Sequence, residues 1–110
     1  MSTKNISKDK KFMNSLFKRI ESKRDEMVSF TQELVRIPTI NPPGEDYTRC
    51  AELLGNRLKK RGFTVHYERA FNTPGDSDHY PRNNILARIE GKSCGPCVHF
   101  NNHLDVVIPG

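Results

Sequence analysis

The stretch EDYTRCAELLGNRLKKRGFTVHYE, Glu45 to Glu68, decides the fold. Tyr47, Cys50, Ala51, Leu54 and Leu58 fall at i, i+3, i+4, i+7 and i+11, which is one apolar face of an amphipathic helix. Glu45 and Asp46 suit the positive end of that helix, and Lys59, Lys60 and Arg61 suit the negative end. Gly62 is a natural left-handed stop. Straight after it, Phe63, Val65 and Tyr67 alternate with Thr64, His66 and Glu68, the period of a half-buried strand. Helix followed at once by strand gives an α/β reading: the opening of a sheet with helices packed on it.

Upstream, apolar residues recur at helical spacing from Lys11 to Arg36. Phe12, Leu16 and Ile20 form one stripe, and Met27, Thr31, Leu34 and Val35 another. Ser22-Lys-Arg-Asp25 resembles a capping box. It marks either the start of a second helix or a point within one long helix. Pro38 ends the pattern, because the residue before a proline is pushed out of helical geometry. Residues 1 to about 10 are polar and expected to fray. Thr39-Ile-Asn-Pro-Pro-Gly44 reads as a rigid loop.

Downstream, Phe71 to Arg82 carries Pro-Gly, two further aspartates and Pro81, and reads as a long surface loop. Asn84 to Glu90 reads as a strand with Ile85, Ala87 and Ile89 on one face. Gly91 to Pro96 turns the chain. Cys97 to Asn102 is expected to return as a third strand, antiparallel to the second in a hairpin.

The chain has 110 residues, 35% of them hydrophobic, and a net charge of +5. That suits one small domain. Its longest apolar runs are far short of the roughly 20 residues that cross a bilayer, and no membrane partner is expected. The N-terminal lysines are not followed by an apolar core, so a secretory signal is not expected and the cytoplasm is the default location. Residues 1–26 hold eight Lys/Arg against four Asp/Glu, whereas 27–110 hold ten against nine. The basic excess therefore belongs to a partly helical leader, assigned to residues 1–25, ahead of a domain over 26–110. A basic arm can meet an anionic surface. No aromatic positions among the basic residues support nucleic-acid binding, and none is expected.

Chemistry concentrates near the last residues, FNNHLDVVIPG, Phe100 to Gly110. In extended backbone His103 and Asp105 share a face. A metal-bound imidazole commonly hands its other N–H to a carboxylate, which fixes the tautomer and strengthens the ligand. On spacing alone, a polar strand end is the simpler reading of the pair. Cys94-Gly-Pro-Cys97 has the look of a thioredoxin-type redox motif. Such a cysteine needs a helix N-terminus to stabilise its thiolate, and Val98-His-Phe100 reads as strand. A Gly-Pro turn flanked by two reduced thiols is the plainer account. A structural zinc site from Cys94, Cys97, His99 and His103 is disfavoured, because zinc fingers separate their ligand pairs by a dozen or more residues. His66 and His79 read as surface residues, and His99 as a half-exposed strand residue.

Four pieces in order, Val35-Arg-Ile-Pro-Thr-Ile-Asn-Pro-Pro-Gly-Glu45, the helix end Leu58-Lys-Lys-Arg-Gly-Phe63, Arg82-Asn-Asn-Ile-Leu-Ala-Arg-Ile-Glu-Gly91 and Phe100–Gly110, resemble the start of the M20 zinc metallohydrolases. These include the acetylornithine deacetylase, succinyl-diaminopimelate desuccinylase, aminoacylase and carboxypeptidase G types. The resemblance spans about residues 26–110. Asn102 stands where the family usually has glycine, and Ile108 intervenes before Pro109. The resemblance implies the N-terminal part of a mixed-sheet, zinc-peptidase-type catalytic domain, truncated here. It implies a metal-dependent amidohydrolase, deacylase or peptidase acting on N-acyl amino acids or related small amides. It implies two Zn²⁺ or Co²⁺ ions in the complete enzyme, with His103 a metal ligand and Asp105 its catalytic partner. It further implies a homodimer, for the full-length protein only. The piece alone is expected to be inactive. The competing readings are a CxxC thiol-disulfide protein and a non-catalytic binding fragment that uses its basic leader.

Overall fold

A computed structural model describes residues 3–109. The chain falls into two compact units, 1–36 and 37–110. The first holds helices α1 (Thr3–Glu21) and α2 (Arg24–Val35). The polar start expected to fray is helical from Thr3 onward; Met1 and Ser2 lie outside the described residues. The break between the helices falls at Ser22–Lys23. Ser22 is not the cap of α2: its hydroxyl donates to the Arg19 carbonyl, 2.8 Å away, and so satisfies the end of α1. Lys23 occupies the cap position without a side-chain bond to the backbone. Its ammonium reaches Glu26 at 2.9 Å. Asp25 and Glu26 then lie in the first turn of α2, where the helix dipole favours them. α2 ends at Val35, two residues before Ile37-Pro38 forces extended backbone.

The second unit contains α3 (Tyr47–Lys59), β1 (Thr64–Arg69) and β2 (Asn83–Arg88). The fold is α/β, with α3 packed on a two-stranded sheet. Tyr47, Cys50, Ala51 and Gly55 are the buried positions of α3, and Ile37 and Thr39 are buried beside them in the same unit. The core is small, so stability is correspondingly marginal. α3 ends as its sequence indicates. The Phe63 N–H bonds the Leu58 carbonyl (3.2 Å) and the Gly62 N–H bonds the Lys59 carbonyl (3.0 Å). These are the paired bonds of a Schellman motif, and Gly62 at φ +88° supplies its left-handed residue.

β1 and β2 are antiparallel, with Val65 opposite Ala87 and Tyr67 opposite Ile85. Their apolar residues therefore share one face. Asn83 Nδ2 donates to Thr48 Oγ1 (2.7 Å) and ties β2 to α3. The loop between the strands is held by Arg69. Its Nε and Nη2 grip both carboxylate oxygens of Asp76 (2.9 and 3.1 Å), and Nη1 reaches Asp78 (3.0 Å). This bidentate contact holds the Asp76 carboxyl below its usual range. The Arg82 N–H also donates to Asp76 (3.0 Å).

The expected third strand is corrected. Cys97–Asn102 forms no ladder, and β2 pairs with β1 rather than with this segment. Alternation makes a segment able to form a strand, but a ladder also needs a covered face. α3 covers β1 and β2, while Val98 and Phe100 stay exposed. Order returns further on, where Val106 forms a parallel bridge with Ile40.

Gly55 is set by close approach. A Cβ there would run into the phenol of Tyr67. Gly55→Ala is therefore expected to destabilise the chain by about 1–3 kcal/mol, although alanine is the better helix former by about 1 kcal/mol. In a Tyr67→Ala background the same substitution should become stabilising. Thermal unfolding of the four variants decides this, and a raised melting temperature for Gly55→Ala with Tyr67 intact sinks the packing argument.

Candidate functional site

The segment 104–106 is seated against 39–41. The Val106 N–H donates to the Thr39 carbonyl and the Asn41 N–H donates to the Val106 carbonyl, both at 2.9 Å. The buried Thr39 hydroxyl donates to the Leu104 carbonyl at 2.8 Å. The Asn41–Pro42 and Pro42–Pro43 peptide bonds beside this seat are cis.

That pairing brings Asp105 beside Asn41, whose Nδ2 donates to Asp105 Oδ2 at 3.0 Å. The other carboxylate oxygen, Oδ1, lies 3.1 Å from His103 Nδ1, and the Asp105 carbonyl lies 3.0 Å from the same nitrogen. Both partners of Nδ1 can only accept, because a carbonyl and an ionised carboxylate carry no proton. Nδ1 of the neutral ring is therefore the protonated nitrogen, and Nε2 keeps its lone pair. The His103 side chain is 85% exposed and that of Asp105 33%. The Asn41 hydrogen bond, with a smaller contribution from His103, holds the Asp105 carboxyl below the usual range.

Behind Asn41 stands Arg82. Its Nη2 donates to Asn41 Oδ1 at 3.2 Å, and its guanidinium carbon lies 5.1 Å from the centroid of the Tyr47 ring. Gly44 and Gly75, at φ +104° and +83°, both back onto this guanidinium, and a Cβ at either would strike it. Arg82 Nε is the single buried side-chain nitrogen or oxygen among the described residues without a hydrogen bond. Burial raises the Tyr47 phenol above its ordinary value, and the Asp105 charge adds to the effect. Thr39, Asn41, Tyr47 and Arg82 were not legible as site residues. Asn41 lies in a loop whose sequence suggested rigidity and no role, and Arg82 carries no local signal.

The sequence-predicted pair is thus brought together by direct side-chain contact. Among the described residues no group of three or more His, Cys, Asp or Glu is placed to hold a metal ion. His103 borders neither the concavity of about 290 Å³ beside Gly44, Tyr47 and Pro81 nor that of about 370 Å³ beside Ala51, Asn56 and Tyr67. Cys94 and Cys97 are free and exposed, and among the described residues no helix begins after them. His66 and His79 are exposed. His99 is also exposed, and it lies outside any strand. Among the described residues no helix is long and apolar enough to cross a membrane.

No family model matches the chain, and no solved structure matches it significantly. Curated proteins do. The chain is similar to the succinyl-diaminopimelate desuccinylase of Bradyrhizobium sp. (strain ORS 278), 35% identical over 85 residues, or 77% of this chain and 20% of that protein. It is 37% identical over 84 residues to the protein of that name from Methylobacterium nodulans, covering 76% of this chain and 19% of the relative. The protein of that name from Methylorubrum extorquens (strain PA1) is 34% identical over 83 residues. The chain therefore spans about a fifth of the length of the relatives it matches.

A buried phenol raised in the folded state favours its protonated form there. Its contribution to stability is complete below the unfolded tyrosine value of about 10 and is lost as pH rises through the folded value. Absorbance titration of tyrosinate should therefore show a late component that Tyr47→Phe removes. An unchanged titration curve in Tyr47→Phe counts against the burial assigned to this ring.

Proposed function

We propose that this chain contributes the N-terminal part of a metal-dependent amidohydrolase of the M20 type. Residues 26–110 would open the catalytic domain and 1–25 would form a basic leader. The substrate class is N-acyl amino acids or related small amides, cleaved at the C–N bond. The observation that carries the reading is the His103–Asp105 contact, which in the neutral ring leaves the Nε2 lone pair open on an exposed side chain. The similarity to succinyl-diaminopimelate desuccinylases supports it.

In this reading His103 is a metal ligand through Nε2. Asp105 holds the ring's tautomer and orientation and is the catalytic carboxylate implied by the M20 resemblance. The donor chemistry fits one position of a Zn²⁺ or Co²⁺ site. A catalytic zinc takes three protein ligands and an open position, and the described residues supply one. Two such ions would polarise the amide carbonyl and supply hydroxide in a complete site. This chain's own residues present an imidazole lone pair and restrain it, so the chain alone is expected to lack amidase activity. A cytoplasmic location goes with the reading, and a homodimer belongs only to a longer form.

Titration of the 110-residue chain with Co²⁺, followed by NMR of the histidine side chains, tests the assignment. The His103 ring resonances should broaden first, chelator should restore them, and His103→Ala should abolish the effect. Equal broadening at His66 and His79, or unchanged cobalt binding by His103→Ala, overturns the proposal.

A further inference from the structure

The contacts behind Asp105 extend the half-site inward. Arg82 can only donate and an ionised carboxylate can only accept. The Asn41 side chain lies between them, with Oδ1 toward Arg82 Nη2 and Nδ2 toward Asp105 Oδ2. Its amide therefore has one orientation that satisfies both neighbours, and the reverse places donor against donor and acceptor against acceptor. Arg82 is itself confined, with Gly44 and Gly75 backing onto the guanidinium and the Tyr47 ring 5.1 Å from it. The backbone of Asn41 is fixed separately by its bond to the Val106 carbonyl. The exposed His103 is thus connected through Asp105 and Asn41 to a constrained cation on the residue before β2.

We propose that Asn41 and Arg82 are positioning residues for His103: Arg82 orients the Asn41 amide, the amide holds the Asp105 carboxylate, and the carboxylate keeps the imidazole proton on Nδ1 with Nε2 open. The inference deepens the ligand assignment of His103 and rests on it for its purpose, but the arrangement itself is measurable without metal. Neither Asn41 nor Arg82 is hydrogen-bonded to the imidazole. Their effect passes through the carboxylate. A neutral ring without a held carboxylate redistributes its proton between the two nitrogens, so the tautomer ratio reports the relay.

The test is ¹H–¹⁵N spectroscopy of the imidazoles in the metal-free 110-residue chain, at a pH where the ring is neutral. His103 should be mainly the Nδ1–H tautomer. Asn41→Leu should lower the Nδ1–H to Nε2–H ratio by roughly two- to fivefold, the change that an exposed charge-assisted contact supports. Arg82→Met should shift it in the same direction and Arg82→Lys should restore it. An unchanged ratio in Asn41→Leu, with native backbone resonances, overturns the proposal. Should that variant fail to fold, the wild-type Asn41 amide decides: Nδ2 protons protected from solvent exchange support the relay, and free exchange overturns it. Cobalt binding retained in Asn41→Leu with an unchanged ratio defeats the relay alone. The expected ratios with no cobalt broadening at His103 defeat the ligand assignment alone.

Discussion

Two backbone hydrogen bonds between Thr39–Asn41 and Val106 set the geometry of the candidate half-site. Among the described residues from 91 to 109, the bridge at Val106 is the sole β pairing. The seat joins residues about 65 apart in sequence. Loop closure grows only logarithmically, at about 0.6 kcal/mol per doubling of length, so the separation is not prohibitive. Each hydrogen bond contributes about 1 kcal/mol net, and the Thr39 hydroxyl adds a third bond from a buried position. That third bond matters by its absence as well. A pairing that missed Leu104 would leave a buried hydroxyl unsatisfied, which costs more than the bond itself returns. The register of 104–106 is thereby fixed, and Asp105 faces Asn41 instead of solvent.

Charge order follows from that register. One guanidinium, one amide, one carboxylate and one imidazole stand in sequence: the guanidinium donates to the amide oxygen, and the amide and the imidazole both donate to the carboxylate between them. The guanidinium sits between Gly44, Gly75 and the Tyr47 ring with its Nε buried, where its field is less screened than at the surface. The imidazole at the other end is exposed and screened. Restraint is therefore strongest at Arg82 and weakest at His103. A ring that is to accept a ligand needs a fixed tautomer with an accessible lone pair, and the proposed relay would supply both.

Legibility in the sequence tracks sequence separation. Helix α3, its basic last turn and the Gly62 stop all arise from contacts within five residues, and the residues indicate them directly. The His103–Asp105 contact spans only two residues, yet spacing alone favoured a plain polar strand end there, and it was the family resemblance that singled the pair out. The partner of β2 was not legible. The alternation in Val98-His-Phe100 is real, but ladder formation depends on which face α3 covers, and that is a property of the assembled unit. Asn41 and Arg82 were out of reach for the same reason, lying 64 and 41 residues from their partners. Ser22 shows a smaller failure of the same kind. Its spacing to Asp25 suited a cap for α2, yet its hydroxyl found the free carbonyl of the preceding turn first.

Sensitivity to the seat also separates two kinds of explanation for the likeness to the desuccinylases. Asn41, Arg82 and Asp105 lie outside α3 and the β1–β2 ladder, so shared secondary structure alone would not couple the three side chains. A shared half-site instead couples them. Replacing Asn41 by an aspartate would satisfy Arg82 but place two carboxylates in contact, and replacing Asp105 by asparagine would leave Nδ1 without its anionic acceptor. The apolar residues beyond the seat, Val106, Val107 and Ile108, are exposed at 52%, 79% and 67%. Their side chains contribute little to holding Asp105, which depends instead on the backbone bonds of Val106 and the polar bonds to residues 39–41. The geometry of the half-site is thus set by hydrogen-bond complementarity, including that of the buried Thr39 hydroxyl, and it is in those polar contacts that a functional likeness would reside.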